Sequence, residues 1–177
     1  MLGLCNNWEF VQEWTDEFAR GEGKGTEIRL PHTVKEIPLH YADHNSYQMI
    51  CGYRYVLPVE ESLRGQRQFL QFDGAAHIAT VFVNGTELTT HRCGYTSFRV
   101  EITEIVQPGD NLLAVKLDTT ENAAVPPFGF VIDYLTYGGL YREVWLDVRE
   151  ECYVCLGDNT YRYEYIRPEW MIAVVTA

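Results

Sequence analysis

The strongest constraint on this chain is its two-residue hydrophobic rhythm. Leu70 and Phe72 share a face before Asp73-Gly74, and Ile78 to Val83 runs into Asn84-Gly85 before Thr86 to Thr90 returns. Phe98, Val100 and Ile102 then alternate with Arg99 and Glu101. After Pro108-Gly109-Asp110, Leu113, Val115 and Leu117 do the same opposite Lys116 and Asp118, and Val144, Leu146 and Val148 close the series. Successive side chains of a strand point to opposite faces, so this rhythm gives each strand one buried and one wet side. Asn-Gly tolerates the positive φ angles of a type I′ turn and marks a hairpin. Trp8, Phe10 and Trp14 are read as the first strand, and Tyr53, Tyr55 and Leu57 as another. Many short antiparallel strands that must share a core predict an all-β fold of two packed sheets, an antiparallel β-sandwich or jelly roll.

Two stretches break the rhythm. Residues 20–25 carry three glycines and read as a loop. Residues 119–136 contain Pro126-Pro127, and a loop of that length in a compact domain is usually functional or mobile.

The 177 residues suffice for one core and predict one domain, residues 1–150, followed by a tail over 151–177. Asp and Glu outnumber Lys and Arg by 25 to 14, a net charge of −11 that repels a phosphate backbone or an anionic bilayer. Neither nucleic acid nor membrane is therefore expected as a partner. No apolar run reaches the roughly 20 residues that span a bilayer, and the first eight residues do not have the form of a secretory signal. Five cysteines at 5, 51, 93, 152 and 155 form an odd set that fits reduced thiols and a cytoplasmic setting.

Most local chemistries find no support. Cys152 and Cys155 have zinc-ligand spacing, but a single such pair is half a structural site, and in a strand the two thiols point to opposite faces. His40 and His44 lack the glutamate placement of a zinc protease motif and read as solvated loop residues. There is no nucleophile elbow, phosphate loop or dinucleotide fingerprint, and no cofactor is called for.

Several segments occur in a telling order: Trp8-Glu9-Phe10, Leu30-Pro31-His32-Thr33-Val34, Gly52-Tyr53-Arg54-Tyr55 and Phe72-Asp73-Gly74-Ala75. Val83-Asn84-Gly85, Cys93-Gly94-Tyr95-Thr96-Ser97-Phe98, Pro108-Gly109-Asp110-Asn111-Leu112-Leu113-Ala114-Val115 and residues 133–144 come next. Together they resemble the amino-terminal sugar-binding domain of glycoside hydrolase family 2, most closely that of the β-galactosidases, over roughly residues 8–148. The resemblance implies a galactose-binding-domain-like jelly roll that reaches over a catalytic barrel, with carbohydrate and that barrel as partners. The family's catalytic carboxylates lie in the barrel, for which a chain of this length has no room, so no catalytic residue is expected here.

The resemblance aligns Asp133 with an aspartate that binds the terminal sugar. An ionised carboxylate accepts from two adjacent hydroxyls, which gives the role a physical basis. The alternative is a turn cap before Gly138-Gly139. A second contact, an amide preceding the strand of Gly52-Tyr53, has Gln48 and Asn45 as candidates, with solvated loop polarity as the competing account. Phe128, Phe130, Tyr134, Tyr137 and Tyr141 offer either a sugar-stacking platform or ordinary packing, Phe128 and Phe130 being the best placed for stacking. Cys93 stands where the family commonly has glycine, which raises the question of a positive φ there.

Residues 161–166 read as a strand that needs a neighbour, either in the jelly roll or in an immunoglobulin-like domain begun here, and residues 172–175 as a sticky end. The tail thus points to a truncated chain or to self-association, a possible homo-oligomer. The rival functions are a free-standing lectin-like module and a purely structural domain. The choice among galactoside, glucuronide and mannoside, and any structural calcium, lies outside what this sequence specifies.

Overall fold

The computed structural model describes residues 1–36, 40, 43–126, 128–129, 136–150, 153–157 and 160–163. The strands are β1 (Leu2–Gly3), β2 (Trp8–Val11), β3 (Thr26–Ile28), β4 (Ile50–Val59), β5 (Arg67–Phe72) and β6 (Ile78–Val83). Then come β7 (Thr86–Arg92), β8 (Phe98–Glu101), β9 (Gly109–Asp118), β10 (Val144–Arg149), β11 (Val154–Gly157) and β12 (Thr160–Tyr163). A four-stranded sheet, β1-β10-β5-β8, faces a six-stranded sheet, β3-β2-β4-β9-β6-β7, and every pairing is antiparallel. This is the expected sandwich.

The core is built from the alternating residues. Leu70, Phe72, Val144 and Leu146 from the first sheet pack with Tyr53, Leu57, Val81, Val83, Leu113, Val115 and Leu117 from the second. Each fully buried Leu or Phe is worth about 1.5–3 kcal/mol. Asn84 and Gly85 take φ values of 50° and 78°, so the β6–β7 hairpin has the predicted turn. The Asn84 side chain also reaches Asn111 Oδ1 (2.9 Å) and accepts from the Leu112 N–H (2.9 Å), clasping this hairpin to the start of β9.

Two local expectations need correction. The strand holding Trp8 and Phe10 ends at Val11 and is preceded by β1, so Trp14 lies beyond it and is not a strand residue. The outer face of the six-stranded sheet is not simply wet. A one-turn helix, α1 (Asp16–Ala19), capped by the Thr15 hydroxyl, lies on it. A Cβ on Gly52 would meet Trp14 at 3.0 Å and Phe18 at 3.1 Å, and Ala114 is fully buried on the same face. The segment over residues 20–25 is a loop, as expected, and it is pinned from below. Buried Arg54 donates to the carbonyls of Phe18 (3.1 Å), Glu22 (2.9 Å) and Gly23 (2.9 Å) while its Nε reaches Glu9 Oε2 (2.7 Å).

Beyond β10, Tyr153 lays its ring edge-on against Phe69 (5.5 Å) on the outer face of the four-stranded sheet. β11 and β12 pair only with each other, from Val154 opposite Tyr163 to Gly157 opposite Thr160. Residues 164–177, including those read as a sticky end, lie outside the described residues.

Candidate functional site

The strand registers bring one set of loops to a common rim. Ile50 at the start of β4 and Ile78 at the start of β6 both oppose Asp118 at the end of β9. In the other sheet Phe72, ending β5, opposes Phe98 and Val144, which begin β8 and β10. Hydrogen bonds carry each sheet into these loops, His77 N–H to Asp118 O (3.1 Å) beside β6 and β9 and Asp73 N–H to Glu143 O (3.0 Å) beside β5 and β10, while Gly94 N–H to Pro126 O (2.8 Å) joins the β7–β8 and β9–β10 loops.

Asn45 and Gln48 sit on this rim, in a 3₁₀ turn over His44–Tyr47 and at its exit. Asp43 creates the turn: its carboxylate accepts from the Asn45 N–H (3.0 Å) and its carbonyl from the Ser46 hydroxyl (2.7 Å). Buried Tyr47 anchors it. The Asn45 side chain is exposed and that of Gln48 half-buried, and neither makes a side-chain hydrogen bond among the described residues, so both keep amide donors and acceptors to offer a ligand.

Thr119, buried just past β9, ties this turn down. Its hydroxyl donates to Tyr47 O (2.6 Å) and accepts from the Met49 N–H (2.9 Å), and its own N–H donates to Met49 O (2.9 Å). The Asn45–Gln48 segment and the beginning of the 119–136 loop are thereby one hydrogen-bonded unit.

Asp133, with Phe130 and Tyr134, lies outside the described residues. The segment downstream of it is held on two sides. Residues 138–140 run beside residues 32–34, with Val34 N–H on Gly138 O (2.9 Å) and His32 N–H on Leu140 O (2.8 Å). On the other side Ala76 and Gly139 exchange hydrogen bonds of 3.0 and 3.2 Å. The glycine pair permits this close approach. A Cβ on Gly138 would lie 2.5 Å from the Thr119 side chain, and one on Gly139, at φ 141°, would strike the His32 carbonyl.

The aromatic candidates separate. Phe128 and Tyr137 are about half exposed, at 48% and 45%, whereas the Tyr141 hydroxyl turns back to donate to Gly94 O (2.5 Å). Among the described residues those other than glycine with positive φ are Asn7, Asn84 and Phe128; Cys93 is not one of them, so a cysteine fits its backbone. Burial works to raise the Cys93 thiol pKa, but hydrogen bonds from the Thr96 hydroxyl and the Tyr95 and Thr96 N–H groups outweigh it and bring the pKa below the ordinary thiol value.

Sequence reasoning passed over His77. It is 2% exposed; its Nδ1 donates to Thr120 O (3.3 Å), which leaves Nε2 as an acceptor without a partner among the described residues. Burial lowers its pKa, against the opposing pull of Glu121 and Asp118. His91, stacked on Phe98 at 4.3 Å, is lowered in the same way. The signal for these two was position alone, immediately before β6 and near the end of β7. The rim thus presents the amides of Asn45 and Gln48 and the half-exposed rings of Phe128 and Tyr137, beside the carboxylates of Asp43, Asp118 and Glu121.

Residues 20–149 match the family described as glycosyl hydrolases family 2, sugar binding domain. The chain is 33% identical over 159 residues to a β-galactosidase of Thermoanaerobacter pseudethanolicus, covering 87% of this chain and 21% of that protein. It is 35% identical over 158 residues to a β-galactosidase of Thermoanaerobacterium thermosulfurigenes, covering 87% and 22%. Among solved structures, a calcium-binding mutant of Bacteroides uniformis β-glucuronidase 2 superposes with a TM-score of 0.78 at 26% identity, over 89% of this chain and 19% of that one. The chain therefore spans about a fifth of the length of the relatives it matches.

Proposed function

Because this chain belongs to the sugar-binding domain family of the family 2 glycosyl hydrolases, we propose that its rim forms one wall of a glycoside pocket that a catalytic domain completes in a longer protein. In this reading Asp133 accepts hydrogen bonds from two adjacent hydroxyls of the terminal sugar, and Gln48 or Asn45 supplies an amide contact. Phe128, half exposed, offers a face for the ring. Bond cleavage belongs to a carboxylate pair about 5–5.5 Å apart, as retaining hydrolysis requires, contributed by the catalytic domain. The observation that carries the reading is the Thr119 knot, which fastens the turn bearing Asn45 and Gln48 to the loop in whose sequence Asp133 occurs. In this reading residues 1–150 are the sugar-binding unit and residues 151–177 a tail, an extra strand or the start of an immunoglobulin-like domain, in a protein we place in the cytoplasm.

The test is Asp133→Ala in the longer protein, assayed with p-nitrophenyl β-galactoside and β-glucuronide. The expected result is a fall of about 100-fold in kcat/KM on the preferred substrate, equivalent to about 3 kcal/mol of charge-assisted hydrogen bonding, with Tm unchanged. A collapse of Tm would assign Asp133 to a turn cap instead. The native product is expected to be several times larger than 20.4 kDa; a product of that mass would favour the lectin-like alternative.

A further inference from the structure

The end of the sandwich opposite the rim carries a groove of about 440 Å³, between the turns that join β4 to β5 and β8 to β9. That volume falls within the roughly 300–1,000 Å³ of small-molecule sites. Gln68 lines it. The alternation of β5 gives Gln68 the same inward face as Leu70 and Phe72, where an apolar side chain would complete the core. An amide stands there instead, 4% exposed. Its Nε2 donates to Leu63 O (3.4 Å), while Oε1 is buried without a hydrogen-bond partner among the described residues. Turning the amide over would set its oxygen against the Leu63 carbonyl, so that contact fixes its orientation. A buried acceptor left unpaired is a standing cost to the fold that a leucine would avoid.

The walls indicate what would complete it. Gln66 and Gln107 offer neutral amides, the Thr103 hydroxyl being engaged by the Gln68 N–H (3.0 Å) and Glu101 Oε1 (2.9 Å), and Glu60 and Glu104 outnumber Arg64, which disfavours an anion. No described lining residue is aromatic, so the groove has no platform for a base or other flat ring. Hydroxyls, which donate and accept at once, suit such a lining. We propose that this groove is a second binding site, separate from the rim, for one ring of a neutral polyhydroxylated ligand, and that binding draws the Gln68 amide outward so that a ligand hydroxyl donates to Oε1, which is closed off in the free fold. Without a stacking ring the site is weak, with a dissociation constant in the millimolar range.

The test is a titration of the ¹⁵N-labelled 177-residue chain with methyl β-D-galactopyranoside, monitored by NMR. Shifts are expected at the Gln68 side-chain amide and at Gln66, Thr103 and Gln107, and Gln68→Leu is expected to weaken them at least tenfold without lowering Tm. Leu63 O keeps the Gln66 N–H (3.1 Å), so this variant creates no new unpaired carbonyl. The proposal is overturned by an absence of shifts at these residues, or by unchanged affinity in Gln68→Leu. Larger shifts with methylammonium than with the pyranoside would also overturn it, by making the groove a cation site. Because the unmutated chain is mapped directly, a variant that failed to fold would leave the test intact. Shifts confined to Gln48, Thr120 and Tyr137 would support the rim and sink the groove, and the converse pattern would separate the two in the other direction.

Discussion

Replacing Thr119 by valine removes one hydroxyl and keeps the shape. In the native fold that hydroxyl satisfies the Tyr47 carbonyl at 2.6 Å and the Met49 N–H at 2.9 Å. No other hydrogen bond to either group is found among the described residues. A buried backbone group left unpaired costs about 1–3 kcal/mol. Tyr47 is buried and bears the full penalty, whereas Met49 is half-buried and recovers part from water, so the sum is about 2–4 kcal/mol. For a chain of this size that lowers Tm by roughly 10 °C. Thr119→Ser is the control: it keeps both hydrogen bonds and loses one packed methyl, worth about 1 kcal/mol. Urea denaturation of the 177-residue chain measures both, and the order wild type, serine, valine is expected. Equal stabilities for the serine and valine variants would refute the account, because the hydroxyl would then be idle. In the longer protein Thr119→Val should also raise KM, since it frees the turn that presents Asn45 and Gln48.

Arg54→Ala should lower stability by about 3–5 kcal/mol in the same assay, because Glu9 and three carbonyls lose a buried partner. Arg54→Lys should recover little of this, as one ammonium cannot span the acceptors of a planar fork. Gly139→Ala, at φ 141° with its methyl directed at the His32 carbonyl, should destabilise the rim by more than about 2 kcal/mol; a Tm within about 2 °C of wild type would contradict the geometry. His77 is held below its ordinary value near 6.5, so the unfolded chain binds its proton first and the stability this provides is lost as pH falls below about 6.5. Thermal melts from pH 8 to 5 should show that loss. His77→Asn, whose amide can still donate to Thr120 O, should flatten the curve, and an unchanged slope would exclude His77 as its source.

The sheets were legible because their residues obey one periodicity, and Asn84-Gly85 announced its own turn. Trp14 and α1 were not, because a single helical turn buries too few residues to set up a 3.6-residue rhythm. The role of Arg54 was not legible, since nothing local in Tyr53-Arg54-Tyr55 reveals carbonyls from residues 18–23 converging on it. Gly138-Gly139 was legible as a constraint but not as to its cause, a close approach between segments more than a hundred residues apart in sequence. His77 escaped for a related reason: burial and a missing partner are properties of three-dimensional surroundings. Asn45 and Gln48 came from the family resemblance, as amides preceding the strand of Gly52-Tyr53; periodicity fixed only where that strand lies.

β1 and β10 pair directly, Leu2 opposite Leu146 and Gly3 opposite Trp145, with Leu4 N–H on Val144 O (2.8 Å). β10 also lies between β1 and β5, so it closes two ladders at once. During synthesis, then, nearly the whole domain must leave the ribosome before its smaller sheet can form. Until residues 144–149 appear, β1 waits without a neighbour and β5 keeps an open edge, ready to take a strand from another nascent chain. Translational pausing before residues 144–149 clear the ribosome would lengthen that exposure.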